Sequence, residues 1–217
     1  MKEHINSMLK QSYSLWFHAA VLDIFRPFIH DALHGDQCLT TFGTNSCTPN
    51  AICERSTTRL KRLIVNYRLN YTSSTFTILW HTALIYVANA VFDNDKAEDW
   101  YSYLLLCLYG YQRLSRSWRV AEAISKGLLS MALRNGDISG NAARHILLDF
   151  ENRNPDRISG GIRATFMVDL HRALLEPSVS TVECLADQFE DNLMLREYTT
   201  FFDEKKIDYS SNNGGYK

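Results

Sequence analysis

Two histidines one helical turn apart come closer to a metal-site spacing than any other residues of this sequence. His30 and His34 are separated by Asp-Ala-Leu, so on a helix their imidazoles share one face, where they could bind a zinc ion. The pair lacks the glutamate of the H-E-x-x-H pattern, and no third ligand is identifiable. We therefore interpret the two histidines as polar residues at a helix end, where a protonated imidazole is mildly stabilised by the helix dipole.

The five cysteines are a second potential source of metal ligands. Cys38, Cys47 and Cys53 fall in one segment, while Cys107 and Cys184 lie far from it and from each other. None forms the closely spaced C-x-x-C pair typical of structural zinc sites. The odd number and the irregular spacing indicate free thiols in a reducing compartment rather than a disulfide framework.

The acidic, glycine-rich and basic segments contain no catalytic motif. Asp93 and Asp95 resemble the start of a calcium loop, but the later ligands and the central glycine are missing. The glycine pair in residues 158–162 lacks the G-K-[ST] of a phosphate loop. The basic stretch over residues 59–68, RLKRLIVNYR, could contact an anionic partner, although such a helix is more often solvated on its charged face. We assign no catalytic, cofactor-binding or metal-binding residue and expect a protein that is not an enzyme.

The aromatic residues leave one alternative open. They are concentrated in the opening segment and between Trp80 and Trp118, and we interpret them as core. They could instead line an apolar pocket between helices. That alternative predicts an all-α small-molecule-binding protein or an enzyme, with convergent polar groups in the pocket.

Composition limits the class of protein. The chain has 217 residues, 46% of them hydrophobic, and a formal net charge of -1. It is long enough for one sizeable core, and its balanced charge argues against a whole-protein electrostatic grip on nucleic acid. The N-terminus lacks a signal-peptide core, and the apolar runs are too short for a membrane span. We expect a soluble intracellular protein with no membrane partner.

The opening segment LWFHAAVLDIFRPFIHDAL, residues 15–33, is the most distinctive stretch of the chain. Its apolar residues recur at steps of three and four and also occupy other faces, which predicts a helix buried on most sides. Pro27 predicts a kink or break near residues 24–26. Arg26, in an apolar setting, is expected to be buried and paired with a carboxylate or a freed carbonyl.

The rest of the chain also reads as helices. A loop is expected over 35–55, and the helix over 75–92, which is apolar on most faces, is expected to lie centrally. The remaining predicted helices cover residues 56–71, 96–114, 115–134, 140–151, 161–175 and 181–206. The fold class is all-α, an irregular bundle of packed antiparallel helices, about seven to nine in number. One domain is expected over 1–206, followed by a disordered polar tail over 207–217.

The opening segment resembles the helix of the regulatory (middle homology) region of fungal zinc-cluster (Zn2Cys6) transcription factors. The tripeptide Arg26-Pro27-Phe28 matches the Arg-Pro-Phe ending of the run in that family. The downstream order is similar as well: a loop, an alanine-containing apolar helix (HTALIYVANAVF), an aromatic and leucine-rich helix, and a helix opened by Ser117-Trp118. The resemblance covers about Leu9 to Leu133.

The resemblance implies the regulatory region of a nuclear transcription regulator, acting through a partner or metabolite. Implied partners are the transcription machinery or co-regulator proteins, a small-molecule effector and a second copy of the chain. DNA binding in the family runs through an N-terminal cluster with C-x2-C pairs, which this sequence lacks. The chain is therefore expected to correspond to only the C-terminal part of such a regulator, as a fragment, a truncated gene model or a stand-alone relative. Zinc and DNA are assigned to no residue here, and no cofactor is expected in this chain.

Overall fold

The computed structural model describes residues 2–29, 48–71, 76–92, 96–153, 164 and 167–191. Within these ranges the chain forms seven α-helices and no strand, and Met167 and Thr181 make an isolated β-bridge. The prediction of an all-α bundle is therefore confirmed. The helices are α1 (Lys2–Ile29), α2 (Pro49–Asn70), α3 (Ile78–Val91), α4 (Trp100–Leu114), α5 (Val120–Arg134), α6 (Gly140–Arg153) and α7 (182–191).

Helix α1 buries one stripe of side chains and leaves much of its other described surface exposed. Leu15, Ala19 and Leu22 are buried at steps of four and three, and α1 packs on α2 and α3. The prediction that this helix is buried on most sides is wrong. Six large apolar side chains of α1 are exposed: Leu9, Tyr13, Trp16, Phe17, Ile24 and Phe28. Helices α2 and α3 cover one side of α1. The apolar composition of α1 does not determine whether other helices pack on its remaining sides.

Pro27 does not break α1, since the helix continues through it to Ile29. A proline removes only its own N–H, and at this position the missing bond would have reached the carbonyl of Asp23. Arg26 is half-buried rather than buried, and its guanidinium carbon lies 4.9 Å from the centre of the Tyr86 ring.

Helix α2 begins earlier than the sequence pattern predicted. Thr48 caps it by accepting the backbone N–H of Ala51, and Pro49 occupies the first turn, where its missing N–H is not needed. The predicted loop over 35–55 is therefore wrong for 49–55, and residues 35–47 lie outside the described part. Ser56, expected near the start of the helix, is instead buried within it.

Helix α3 is the central element, as predicted. Nine of its fourteen residues are buried, and it packs against α1, α2 and α4. It begins at Ile78 after Thr77 rather than at Thr75. Trp80 is buried and stacks on Tyr67 of α2, with ring centres 5.6 Å apart.

Helices α4, α5 and α6 follow the predicted order: α4 and α5 begin a few residues later than predicted, and α6 begins at Gly140 as predicted. Gly110 lets α4 approach α3, since a Cβ there would stand 2.8 Å from a methyl of Leu84. Ser115 does not cap α5; its hydroxyl donates to the carbonyl of Gln112 in α4. After α5 ends, Gly136 adopts a φ of 75°, the left-handed conformation that favours glycine.

Residues 167–180 form an irregular segment between α6 and α7. The helix predicted over 161–175 is wrong for its described part, which contains the 3-10 helix Arg172–Leu174; a second 3-10 turn covers Pro177–Ser180. Side chains replace the helical bonds. Asn89 of α3 donates to the carbonyl of Val168 at 2.8 Å and accepts the N–H of Leu170 at 2.8 Å.

A second polar contact holds the same segment. The buried carboxylate of Asp169 accepts the guanidinium of Arg134 at 2.6 Å and the backbone N–H of Arg172 at 3.0 Å. Helix α7 follows and buries Val182, Leu185 and Phe189, in agreement with the start of the helix predicted over 181–206. Residues 192–217, including the predicted tail, lie outside the described part.

Replacing Asn89 by alanine is expected to lower the free energy of unfolding by about 2–4 kcal/mol. The substitution leaves the Val168 carbonyl and the Leu170 N–H without their side-chain partner, and each buried polar group so orphaned costs about 1–3 kcal/mol. Urea unfolding measures the change.

The matched control is Asn66→Ala on the exposed face of α2, where a change within about 0.5 kcal/mol is expected. Equal stability of the two variants would show that Asn89 does not anchor the segment.

Candidate functional site

A cavity of about 700 Å³ lies between α1, α3, the start of α5 and the irregular segment. Its walls are mostly apolar, and its polar lining comes from a few side chains of α1 and α3. Cavities that bind small molecules generally measure roughly 300–1,000 Å³ and combine apolar walls with a few placed polar groups. By size and lining, this cavity is suited to bind a small ligand.

Helix α3 supplies one wall through a single stripe. Ile78, His81, Thr82 and Ile85 recur at steps of three, one and three, and with Tyr86 they face the cavity. The opposite side of α3 faces the core, where Ala83, Leu84 and Val87 are completely buried. A helix that is apolar all round thus buries most of its surface and turns one stripe toward open space.

The start of α5 supplies the facing wall. Val120, Ala121 and Ile124 line the cavity, and Trp118 just before the helix joins them. The Trp118 indole N–H donates to the carbonyl of Phe76 at 2.6 Å, which fixes the ring beside the start of α3. The indole remains 44% exposed. An aromatic ring held in place at an open cavity is a ready contact surface for an apolar ligand.

The irregular segment closes a third side. Met167 and Leu170 line the cavity, and Leu170 is tied to α3 through the side chain of Asn89. This wall is therefore positioned by the polar contacts of the segment rather than by helix packing. Side-chain hydrogen bonds and one ion pair set the width of the cavity here.

The charged end of the cavity is formed by α1. Asp23 lines it, and its Oδ1 accepts the hydroxyl of Tyr86, which also lines it. Burial, that hydrogen bond and the Asp23 charge all raise the pKa of Tyr86, so the phenol stays protonated and remains the donor. Arg26, one turn from Asp23, stacks over the Tyr86 ring.

His81 is neutral in the folded protein at pH 7. Burial lowers its pKa from 6.5 to about 4, because the charged imidazolium would lose its hydration. Its ring meets the buried ring of Tyr111 edge-on, with centres 5.5 Å apart, and the hydroxyl of Tyr111 donates to the His81 carbonyl. The histidine thus contributes polarity to the cavity wall without a positive charge.

Most metal candidates from the sequence fall outside the described residues. This applies to His30, His34, Cys38 and Cys47, as well as to the aspartates at 93 and 95. Cys53 is described and buried, and burial raises its pKa to about 11, so it is a protonated, unreactive thiol at neutral pH. Within the described ranges, no three His, Cys, Asp or Glu side chains are grouped so that they could hold a metal ion.

Two basic side chains of the stretch 59–68 contact other parts of the protein. Lys61 lies over the Tyr103 ring at 4.9 Å and 3.9 Å from a carboxylate oxygen of Asp99. Arg68 donates to the carbonyl of Leu106. Arg59 and Arg62 are exposed, and Leu60, Ile64 and Tyr67 pack inward, which is the arrangement expected of a solvated charged face.

Sequence reasoning raised an inter-helix pocket as an alternative but did not identify Asp23 or His81 as its polar groups. A weak signal existed, since each stands alone in an apolar run, between Leu22 and Ile24 in one case and after Trp80 in the other. Such isolated polar residues are as compatible with a satisfied core as with a site. Only the packing of α1 on α3 shows that both reach one cavity.

Comparison of the chain with known proteins identifies no relative. Family models, curated proteins and solved structures were all compared with the chain, and none matches it. No helix in the described ranges is both long and apolar enough to cross a membrane. The resemblance to fungal zinc-cluster regulators therefore depends on the residues quoted above.

Acid is expected to destabilise the protein through His81. Between pH 6.5 and about 4 the unfolded chain binds a proton that the folded imidazole resists, so the free energy of unfolding falls as the pH is lowered. At pH 4 this contribution reaches up to about 3 kcal/mol, and it vanishes above about pH 7. His81→Gln should remove this part of the acid sensitivity.

Urea unfolding at pH 7 and at pH 4.5 measures the effect, with His145→Gln on the exposed face of α6 as the control. If His81→Gln and His145→Gln lose equal stability between the two pH values, the neutral buried imidazole is not the cause.

Proposed function

We propose that this chain is an all-α regulatory region, of the type found in fungal zinc-cluster transcription regulators, whose inter-helix cavity binds a small and largely apolar effector. The observation that carries the proposal is the cavity of about 700 Å³ against the central helix α3. In this proposal the protein acts in the nucleus and reports effector binding to co-regulators or to the transcription machinery. DNA would be contacted through a zinc cluster outside this chain.

The position of the cavity supports a regulatory use. Its lining joins Asp23 of α1, the stripe of α3, the start of α5 and the segment 167–170. A ligand that contacts all four favours arrangements in which they are held together. A ligand shifts an equilibrium only by its differential affinity for two states, and elements that meet around a cavity supply that difference. The segment of α1 that carries the family resemblance is one of these elements.

The same cavity supports the second candidate, an all-α small-molecule-binding protein or enzyme. An enzyme needs convergent groups in reach of a reacting atom. Among the described lining residues Asp23 is the one carboxylate, and Tyr86 already donates to it. His81 has a pKa of about 4, which makes it a weak base at neutral pH. These features favour binding without catalysis, and we propose that role.

Filling the cavity tests the binding site. The neutral fluorophore Nile red is expected to bind the protein at a single saturable site. Thr82→Phe projects a ring from the α3 stripe into the cavity and should abolish that binding, while it removes only a bond to the helix's own Ile78 carbonyl. Fluorescence titration measures the affinity, and circular dichroism verifies the fold.

The control Thr58→Phe places the same ring on the exposed face of α2 and should bind Nile red as the parent protein does. Unchanged binding by folded Thr82→Phe would exclude the cavity as the site.

A reporter assay separates a regulator from a simple binding protein. The chain, fused to a heterologous DNA-binding domain and an activation domain, is compared with its Thr82→Phe counterpart in yeast. If the cavity controls output, filling it should change reporter expression several-fold at equal protein level. Equal expression, together with lost Nile red binding, would favour the second candidate.

A further inference from the structure

We propose that the cavity selects neutral or cationic amphiphiles that present a hydrogen-bond donor to Asp23, and that it discriminates against anionic ones such as fatty acids. This inference rests on the proposed function, because it names the chemical class of the effector. It follows from which polar groups of the lining are already committed and which still have bonding capacity.

Three side-chain donors of the wall are engaged within the protein. The Trp118 indole N–H donates to the Phe76 carbonyl at 2.6 Å, and the Thr82 hydroxyl donates to the Ile78 carbonyl at 3.2 Å. The Tyr86 hydroxyl donates to Asp23. At these three groups a ligand acceptor, such as a carboxylate or a ketone, would have to displace an existing bond. Displacement leaves a protein carbonyl or carboxylate without its donor, which opposes binding.

The carboxylate of Asp23 can accept further hydrogen bonds. A carboxylate offers about four lone-pair positions on two oxygens, and Oδ1 of Asp23 receives one hydroxyl. Asp23 is exposed, so a hydroxyl or ammonium group of a ligand can approach it from the cavity. The apolar remainder of such a ligand would lie between the α3 stripe and Val120, Ala121 and Ile124 of α5.

Charge points in the same direction. Asp23 is the one formally charged group among the described lining residues, and His81 carries no positive charge at pH 7. An anionic head group 4 Å from Asp23 is repelled enough to weaken its binding about five-fold even with water-like screening. Arg26 does not line the cavity and is stacked on the Tyr86 ring.

Three probes with the same ten-carbon chain test the inference by displacement of Nile red at pH 7.4: 1-decanol, decylamine and decanoate. Decanol and decylamine should displace the dye, and decanoate should bind at least roughly five-fold more weakly than decylamine, the ratio equivalent to about 1 kcal/mol. In Asp23→Asn the gap between decylamine and decanoate should shrink to less than about two-fold. Asp187→Asn, an exposed carboxylate on α7, should keep the parent preference.

The outcomes distinguish the two proposals. If the three probes displace Nile red equally, if decanoate binds best, or if none displaces a dye that does bind, the donor-selective cavity is wrong and the effector site stands. If Nile red itself does not bind, the proposed function fails first. The probe series on the parent protein decides the inference even if Asp23→Asn does not fold.

Discussion

The structure depends on the burial of one helix that is apolar on almost every side. Helix α3 must be surrounded by other elements to keep its apolar surface from water. Each Å² of apolar surface that is buried contributes roughly 25 cal/mol to the free energy of folding. α1, α2 and α4 satisfy it over most of the surface. The cavity lies against the stripe of Ile78, His81, Thr82 and Ile85, in which Ile78 is exposed and Ile85 is buried.

Polar contacts, rather than further apolar packing, determine where the cavity ends. Asn89 lies beyond the cavity-lining stripe, toward the end of α3. Its side chain holds Val168 and Leu170 by two hydrogen bonds of 2.8 Å each. Asp169, bound by Arg134, secures the same segment to α5. Because one of these bonds is buried and the other two are partly buried, they are costly to break and hold the wall in place. The cavity is therefore bounded by directional bonds on one side and by helix packing on the others.

The sequence predicts the helices well where periodicity and stop signals act locally. The α5 end at Arg134-Asn-Gly136 and the start of α6 at Gly140 follow from such signals. The sequence pattern gives a wrong prediction where the backbone of a segment is hydrogen-bonded by a residue far away in the sequence. The segment 167–175 loses its predicted helix because Asn89, far away in sequence, satisfies its backbone. The apolar faces of α1 and α3 look alike in sequence, yet one is exposed and the other is mostly buried, since coverage depends on which helices pack there.

Isoleucine methyl shifts in NMR spectra test most directly whether the α3 stripe that lines the cavity is a ligand site. On titration with 1-decanol, the methyl groups of Ile78, Ile85 and Ile124 at the cavity should shift saturably. Those of Ile64 and Ile146, which do not line it, should stay in place. Equal shifts at all five isoleucines, or none at the three cavity positions, would contradict a ligand site at the cavity.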